Sequence, residues 1–434
     1  MNAGDIQGLG ISALSRFAQS QLADTLKLRK PVEKLLYRGS KAGFQLVSAS
    51  ARLFKPSAGK GKQRLSHTSN SGLFDLSLSD EQHMMRDSLQ RFATDTIRPQ
   101  AHDADATARC PEALRLQAQE LGLALYAVPE ALGGVASEST VVTQLLAAED
   151  LAHGDFSLAA ALLAPMSVAN ALTRWGSDSQ QATYLPAFAE DTPPLATIAV
   201  SEPTVLFDPS RLSTKARRDK SGFVLNGEKS LVIGGASAEL LLIAAELDGQ
   251  PQVFIVPAGT EGLRFQEDPA MGMKAAETVK LQLDNVMLPV EALLGEGELD
   301  YQAFIDFGYL AWCALATGTA QAVLDYVVPY VNEREAFGEP ISHRQGVAFM
   351  VADMAIEVEA MRIMTWRAGS LAEAGKPFHR EIYLARLLCA EKAMQIGTNG
   401  VQLLGGHGFT KEHPVERWYR DLRAVAIAHG GLHL

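Results

Sequence analysis

Apolar positions recur at helical spacing from residue 80, where Met84, Met85, Leu89, Phe92 and Ala93 mark one face. Ser79 with Gln82 three residues on is a capping box, so a helix starts there. Further helices are expected in VVTQLLAAEDLAH and FSLAAALLAPMSVANALTRWG, with Gly and Pro breaking the stretches, and a turn in YAVPEALGG. Near Leu195 the period changes. From there to about 290 the apolar runs are short and β-rich, and VKLQLDNV alternates apolar with polar. Turn residues such as Asn226-Gly227 and Asp248-Gly249 separate the runs, which predicts an antiparallel β domain of six to eight strands. Helical periodicity returns over 300–335, 343–374 and 378–404, lengths that suit a bundle of long antiparallel helices. No internal repeat interrupts this order. The expected units are a basic arm and linker (1–72), a helical domain (73–195), a β domain (196–297) and a helical bundle (298–434).

Charge separates the arm from the body. Residues 1–66 hold 12 Lys/Arg against Asp5, Asp24 and Glu33, a net +9. The other 368 residues hold 27 Lys/Arg against 47 acids, a net −20. Two short amphipathic helices are expected in the arm, divided at Pro31, followed by the Gly/Ser/Lys-rich linker 55–72. Such an arm can lie on an anionic membrane, dock on the acidic body or a partner, or stay disordered. With only Phe17, Tyr37, Phe44 and Phe54 as aromatics, it is not expected to bind nucleic acid. Cys110, Cys313 and Cys389 form no C-x-x-C pair, which argues against a disulfide framework or zinc cluster. No uninterrupted apolar run spans a bilayer and no secretory pattern opens the chain, so the expected location is cytoplasmic, with membrane association through the arm as an option.

Six short motifs follow one another along the body: LSDEQHMMRDSLQRFA, VPEALGG, Ser201-Glu202-Pro203, REAFGEPISHRQ (334–345), QLLGGHGF (402–409) and VERWYRD (415–421). In this order they resemble the acyl-CoA dehydrogenases. The resemblance implies a mainly helical α+β protein: an N-terminal helical domain, a central antiparallel β barrel and a C-terminal four-helix bundle. It also implies FAD, with its two halves bound by different subunits, an acyl-CoA substrate, a homodimer or homotetramer, and electron-transfer flavoprotein as the acceptor. Arg334 matches the arginine that meets the FAD pyrophosphate, where a planar guanidinium suits paired oxyanions. Phe337, Gln345, Gln402, Gly405 and Gly406 match groups that pack on the dinucleotide, the glycines because a missing Cβ admits a ligand. Taken alone, Arg334 can equally be an ion-pair partner of Glu333 or Glu335, and the glycines a helix cap.

The reactive side departs from the family. Ser201 keeps a hydroxyl for the flavin ring, but Phe207 stands where a small serine is usual. Leu231 and Ile233 replace the tryptophan and threonine that cover and bond the ring, positions that can also simply extend a strand. The family's catalytic glutamate comes from one of two places. Counted from the motifs, these fall on His429 and Gly308, and Asp306 points to another face of its helix. Three readings stay open. His429 can be the base, since an ordinary imidazole with a pKa of about 6.5 is largely neutral near pH 7, with its backbone N–H polarising the thioester. The chain can be the deficient subunit of a hetero-oligomer with a glutamate-bearing relative. Or it can bind acyl-CoA or a partner without turnover. Only six residues follow Ala428, so this segment is expected to be held from one side.

Overall fold

The structure, a computed structural model, describes residues 77–135 and 141–432. The basic arm and its linker lie outside the described residues. The first helix, α1 (Asp80–Phe92), starts at the expected capping box: Ser79 and Gln82 each accept from the other's backbone N–H. A π-helical turn over Ala93–Ile97 leads into α2 (Arg98–Thr107). Then come α3 (Glu112–Gln119), α4 (Val141–Gly154), α5 (Phe156–Trp175) and α6 (Asp178–Phe188). The proline expected to break α5 does not. Pro165 sits inside a continuous 20-residue helix whose buried residues on several sides hold it in register. Tertiary packing outweighs the lost backbone hydrogen bond.

Strands β1 (Ala196–Ala199), β2 (Lys215–Asp219), β3 (Gly222–Val232), β4 (Leu240–Leu247), β5 (Gln250–Pro257), β6 (Leu263–Glu267) and β7 (Val279–Pro289) form one curled seven-stranded sheet. It is mixed rather than wholly antiparallel, because β1 and β2 both run parallel to β4. The expected turn at Asp248-Gly249 joins β4 to β5. Asn226-Gly227 is instead a bulge within β3, where the register against β7 slips. A side chain at Gly227 would strike Thr214, so the signal read as a turn marks a close approach of β2.

The C-terminal helices are α7 (Tyr301–Glu333), α8 (Gln345–Glu373), α9 (His379–Leu404) and the seven-residue α10 (Val415–Asp421). A small hairpin of β8 (Glu335–Ala336) and β9 (Glu339–Pro340) joins α7 to α8. Three helices are long and the fourth short, and α4 packs on α7 beside them. That contact needs Gly318, where a Cβ would overlap the Glu149 carbonyl. Averaged along their length, α5 and α7 are apolar enough to cross a membrane, contrary to expectation. Both are mostly buried against neighbouring helices, which accounts for their apolarity. All three cysteines are buried and free.

Candidate active site

One face of α7 carries Phe304, Phe307, Gly308, Ala311 and Trp312 into a cavity of about 150 Å³. Helices α4 and α5 supply the opposite wall. Among the described residues lining it, Arg174 is the one charged side chain and His429 the one other titratable group. His429 lies against Gly308, where any Cβ would collide with the imidazole. The two sequence positions that can carry the base therefore meet in space, and the glycine is what admits the histidine. The Trp312 ring meets the imidazole edge-on, centroids 5.9 Å apart.

The segment bearing His429 is held from several sides, not one. The Tyr309 hydroxyl donates to the His429 carbonyl at 3.1 Å. Arg386 donates to the carbonyls of Ala428 and Gly430, with its guanidinium 3.9 Å over the Tyr309 ring. The N–H of Gly431 donates to the Phe207 carbonyl at 2.8 Å. These bonds hold His429 in the left-handed region, at φ +56°, which a branched or bulky residue rarely adopts. Two of its polar groups stay unused. The backbone N–H groups of Ile427, Ala428, Gly430 and Gly431 all donate, and that of His429 donates to none of the described residues. Its ring Nδ1 is buried with no hydrogen-bond partner. Burial, then the nearby Arg386 charge, pushes the imidazole pKa down to about 4, well below the ordinary value expected from sequence. The ring is neutral at pH 7, as a base must be, but a weak base. Asp306 stays out of this, bonded to His379 Nδ1 at 2.9 Å and to Gln302 at 3.1 Å.

A smaller cavity, about 30 Å³, adjoins the first and shares Ile233, Trp312 and His429 with it. Ser201, Leu231 and Met273 are among its other lining residues. The end of β3 alternates: Val232 is buried in the sheet core, while Leu231 and Ile233 face the cavity. Leu231 has φ +52° and its N–H donates to Asp268 at 2.9 Å. Next to Ser201 in sequence, Glu202 forms a buried ion pair that no motif signals. Lys229 Nζ donates to Glu202 at 2.9 Å and to the Val200 carbonyl at 3.1 Å. Burial pushes that ammonium down to about 8. On the other side, Asp421 accepts from the Met273 N–H at 2.7 Å and the Ser157 hydroxyl at 2.8 Å. This fixes the loop that brings Met273 to the cavity.

The remaining expected residues gather elsewhere. Arg334 caps the C-terminal end of α7, exposed, in no ion pair with Glu333 or Glu335 among the described residues. Phe337 is 98% exposed with φ +57°. Gln345 and Gln402 are exposed, and a Cβ on Gly405 or Gly406 would meet nothing within 4 Å. Tyr330 ties this group together by donating to the Leu404 carbonyl at 3.3 Å. Gly308 and Arg334 stand 26 residues apart on one helix, about 39 Å at 1.5 Å per residue. An extended flavin dinucleotide does not span that. The fold thus brings Ser201 to His429 but keeps Arg334, Phe337, Gln345, Gln402, Gly405 and Gly406 at the far end of α7. A free guanidinium, open glycines and an uncovered aromatic fit the nucleotide half of FAD. The apolar wall with one hydroxyl fits the ring half.

Family models agree with this layout: the N-terminal, middle and C-terminal domains of acyl-CoA dehydrogenase match residues 79–192, 197–286 and 295–432. A probable acyl-CoA dehydrogenase of Bacillus subtilis, YngJ, is 32% identical over 81% of this chain and 95% of its own length. The rat mitochondrial short-chain specific enzyme is 32% identical over 81% of this chain and 87% of its own. The butyryl-CoA dehydrogenase structure from Megasphaera elsdenii superposes with a TM-score of 0.77 at 28% identity, over 83% of this chain and 97% of that one. The chain belongs to the acyl-CoA dehydrogenase family, FAD-dependent oxidoreductases that act on the CH–CH bond of acyl-CoA thioesters.

Proposed function

We propose that this chain oxidises an acyl-CoA thioester to the 2,3-enoyl form with His429 as the acceptor of the α-proton. One observation carries the reading: His429 is the cavity's one titratable base, and its backbone N–H has no partner among the described residues. The N–H suits the thioester carbonyl, where it stabilises charge as the α-proton leaves. The neutral imidazole suits that proton, through whichever ring nitrogen carries none of its own. Trp312 and the aromatic face of α7 keep water from the site. Bound FAD supplies the acceptor for the β-hydride. Ser201 of one subunit would hold its ring edge, and Arg334, Gln345, Gln402 and the Gly405-Gly406 pair of another its nucleotide half.

A second copy is expected to complete the site. Phe349, Ile356 and Ile363 line up at seven-residue spacing on α8, all exposed, with Tyr383 and Leu384 of α9 also exposed. Such a stripe suits an interface between subunits. The 39 Å separation equally suits a second reading, in which the partner is a glutamate-bearing relative and this chain lends it Arg334. Electron-transfer flavoprotein is the proposed acceptor; a solved structure titled for that protein from Acidaminococcus fermentans superposes with a TM-score of 0.76 at 29% identity. The deciding experiment is the visible spectrum of the protein purified alone, followed by anaerobic addition of an acyl-CoA. A yellow protein that bleaches supports turnover by this chain. A colourless protein that takes up flavin only with a co-expressed relative supports the hetero-oligomer. A yellow protein that no acyl-CoA bleaches defeats both in favour of a binding role.

A further inference from the structure

The cavity beside His429 is unevenly polar. Leu163, Ser167, Asn170 and Arg174 of α5 all line it, and their spacing of four, three and four places them on one helical face. Polarity rises along that face toward the helix C-terminus. Leu145, Ala148 and Leu163 give the cavity apolar wall, while Asn170 and Arg174 add an amide and a guanidinium.

Arg174 is exposed and has no carboxylate partner among the described residues. Its one recorded contact is with Phe307, whose ring centroid lies 4.1 Å from the guanidinium carbon. Glu373, the acid that acts on it electrostatically, accepts instead from the Val142 N–H at 2.9 Å. Phe307 is held in turn by Trp175 and Phe378, edge-on at 5.7 and 5.1 Å. The guanidinium is therefore fixed in direction while its donors stay free. Beside it, Asn170 uses only its carbonyl, accepting from Gln144 at 2.9 Å. A stacked, unpaired cation with free donors lining an apolar cavity is a receptor for an oxyanion.

We propose that Arg174, with Asn170 beside it, binds an oxyanion carried by the substrate itself. The inference rests on the cavity being the acyl-CoA site. Two parts of such a substrate offer that chemistry: a carboxylate at the far end of the acyl chain, and the phosphates of CoA. The flavin-loaded protein and its Arg174→Met variant are titrated by calorimetry with three unreactive thioethers: S-butyl-CoA, S-(3-carboxypropyl)-CoA and S-(3-carboxypropyl)pantetheine. Arg174→Met keeps the length of the stem and removes the charge. A loss of about tenfold or more with both carboxypropyl ligands, and not with S-butyl-CoA, assigns the arginine to an acyl carboxylate. An equal loss with both CoA ligands, and none with the pantetheine, assigns it to phosphate. Affinities all within about twofold of the parent's overturn the assignment of Arg174 alone. A parent protein that binds none of the three overturns the substrate reading of the cavity as well.

Discussion

The two ends of α7 have met opposite fates. At its N-terminal half, around Gly308 and His429, the chain is closed in, tethered and chemically altered. At its C-terminal end, around Arg334, it is open, unpaired and close to the family pattern. On the reactive side Gly308, His429, Leu231, Ile233 and Phe207 are the positions expected to depart from the family's motifs. Arg334, Gln345, Gln402, Gly405 and Gly406 kept their matches. The contrast teaches that the groups proposed for nucleotide binding and for proton abstraction sit at opposite ends of one helix, so each can be altered without touching the other.

The sharpest way to break the comparison is to remove the imidazole. In His429→Ala, anaerobic flavin reduction by acyl-CoA should slow about 10²-fold or more, the usual consequence of losing a general base, while bound flavin stays stoichiometric. If reduction proceeds at the parent rate, His429 has no part in the chemistry. Loss of flavin along with the rate would show instead that the two ends are not separable.

The second test follows from titration. The folded-state pKa of His429, about 4, lies below the unfolded value of 6.5. As pH falls, the unfolded chain therefore takes up the proton first. This contribution to stability is complete above pH 6.5 and is lost as pH falls toward 4. The difference corresponds to roughly 3 kcal/mol. Denaturant melts across that window should show the loss in the parent and not in His429→Asn. By the same pKa, the rate of flavin reduction should stay level from pH 8 to about 5. A step near pH 6.5 would mean that the imidazole is not desolvated.

A third test addresses the meeting of the two base positions. Gly308→Ala should destabilise the protein by about 1–3 kcal/mol, because the added methyl must displace the buried ring. In His429→Gly the same alanine should be tolerated. Thermal melts of the two singles and the double give the coupling. Purely additive losses would place His429 away from Gly308.

Much of this architecture was legible. Long helical periods placed α7, α8 and α9 to within a few residues, since long amphipathic stretches leave little choice. Local signals misled where tertiary contacts overrule them. Asn226-Gly227 looks like a hairpin turn but is a bulge set by Thr214, and Pro165 looks like a break inside a helix too well packed to end. At the site, the motifs singled out Gly308 and His429 separately. Their contact was not legible, because 121 residues separate them and nothing in either stretch encodes the approach. Arg386, Tyr309 and Arg174 were missed for a like reason. Each is an ordinary helical residue whose role comes from what the fold sets opposite it.

The smallest expected effect belongs to the open end. Arg334→Met removes one guanidinium from an exposed surface where Gln345, Gln402 and the glycine backbone still offer contacts. Flavin affinity should fall about tenfold, the scale of one charge-assisted hydrogen-bond pair screened by solvent. Folding should not change, because the Arg334 guanidinium has no partner among the described residues and its backbone bonds survive the substitution. Equilibrium dialysis of FAD against the refolded oligomer measures this. A mixed oligomer sharpens it. Subunits carrying Arg334→Met, mixed with subunits carrying His429→Ala, should retain one kind of site with both residues intact. That site is possible only if each flavin takes Arg334 from one chain and faces His429 of another. Activity in the mixture, at about a quarter to half of the parent's at an FAD concentration too low to load Arg334→Met alone, supports the split; a mixture no better than its parents returns both residues to a single chain and undoes the separation of the two ends.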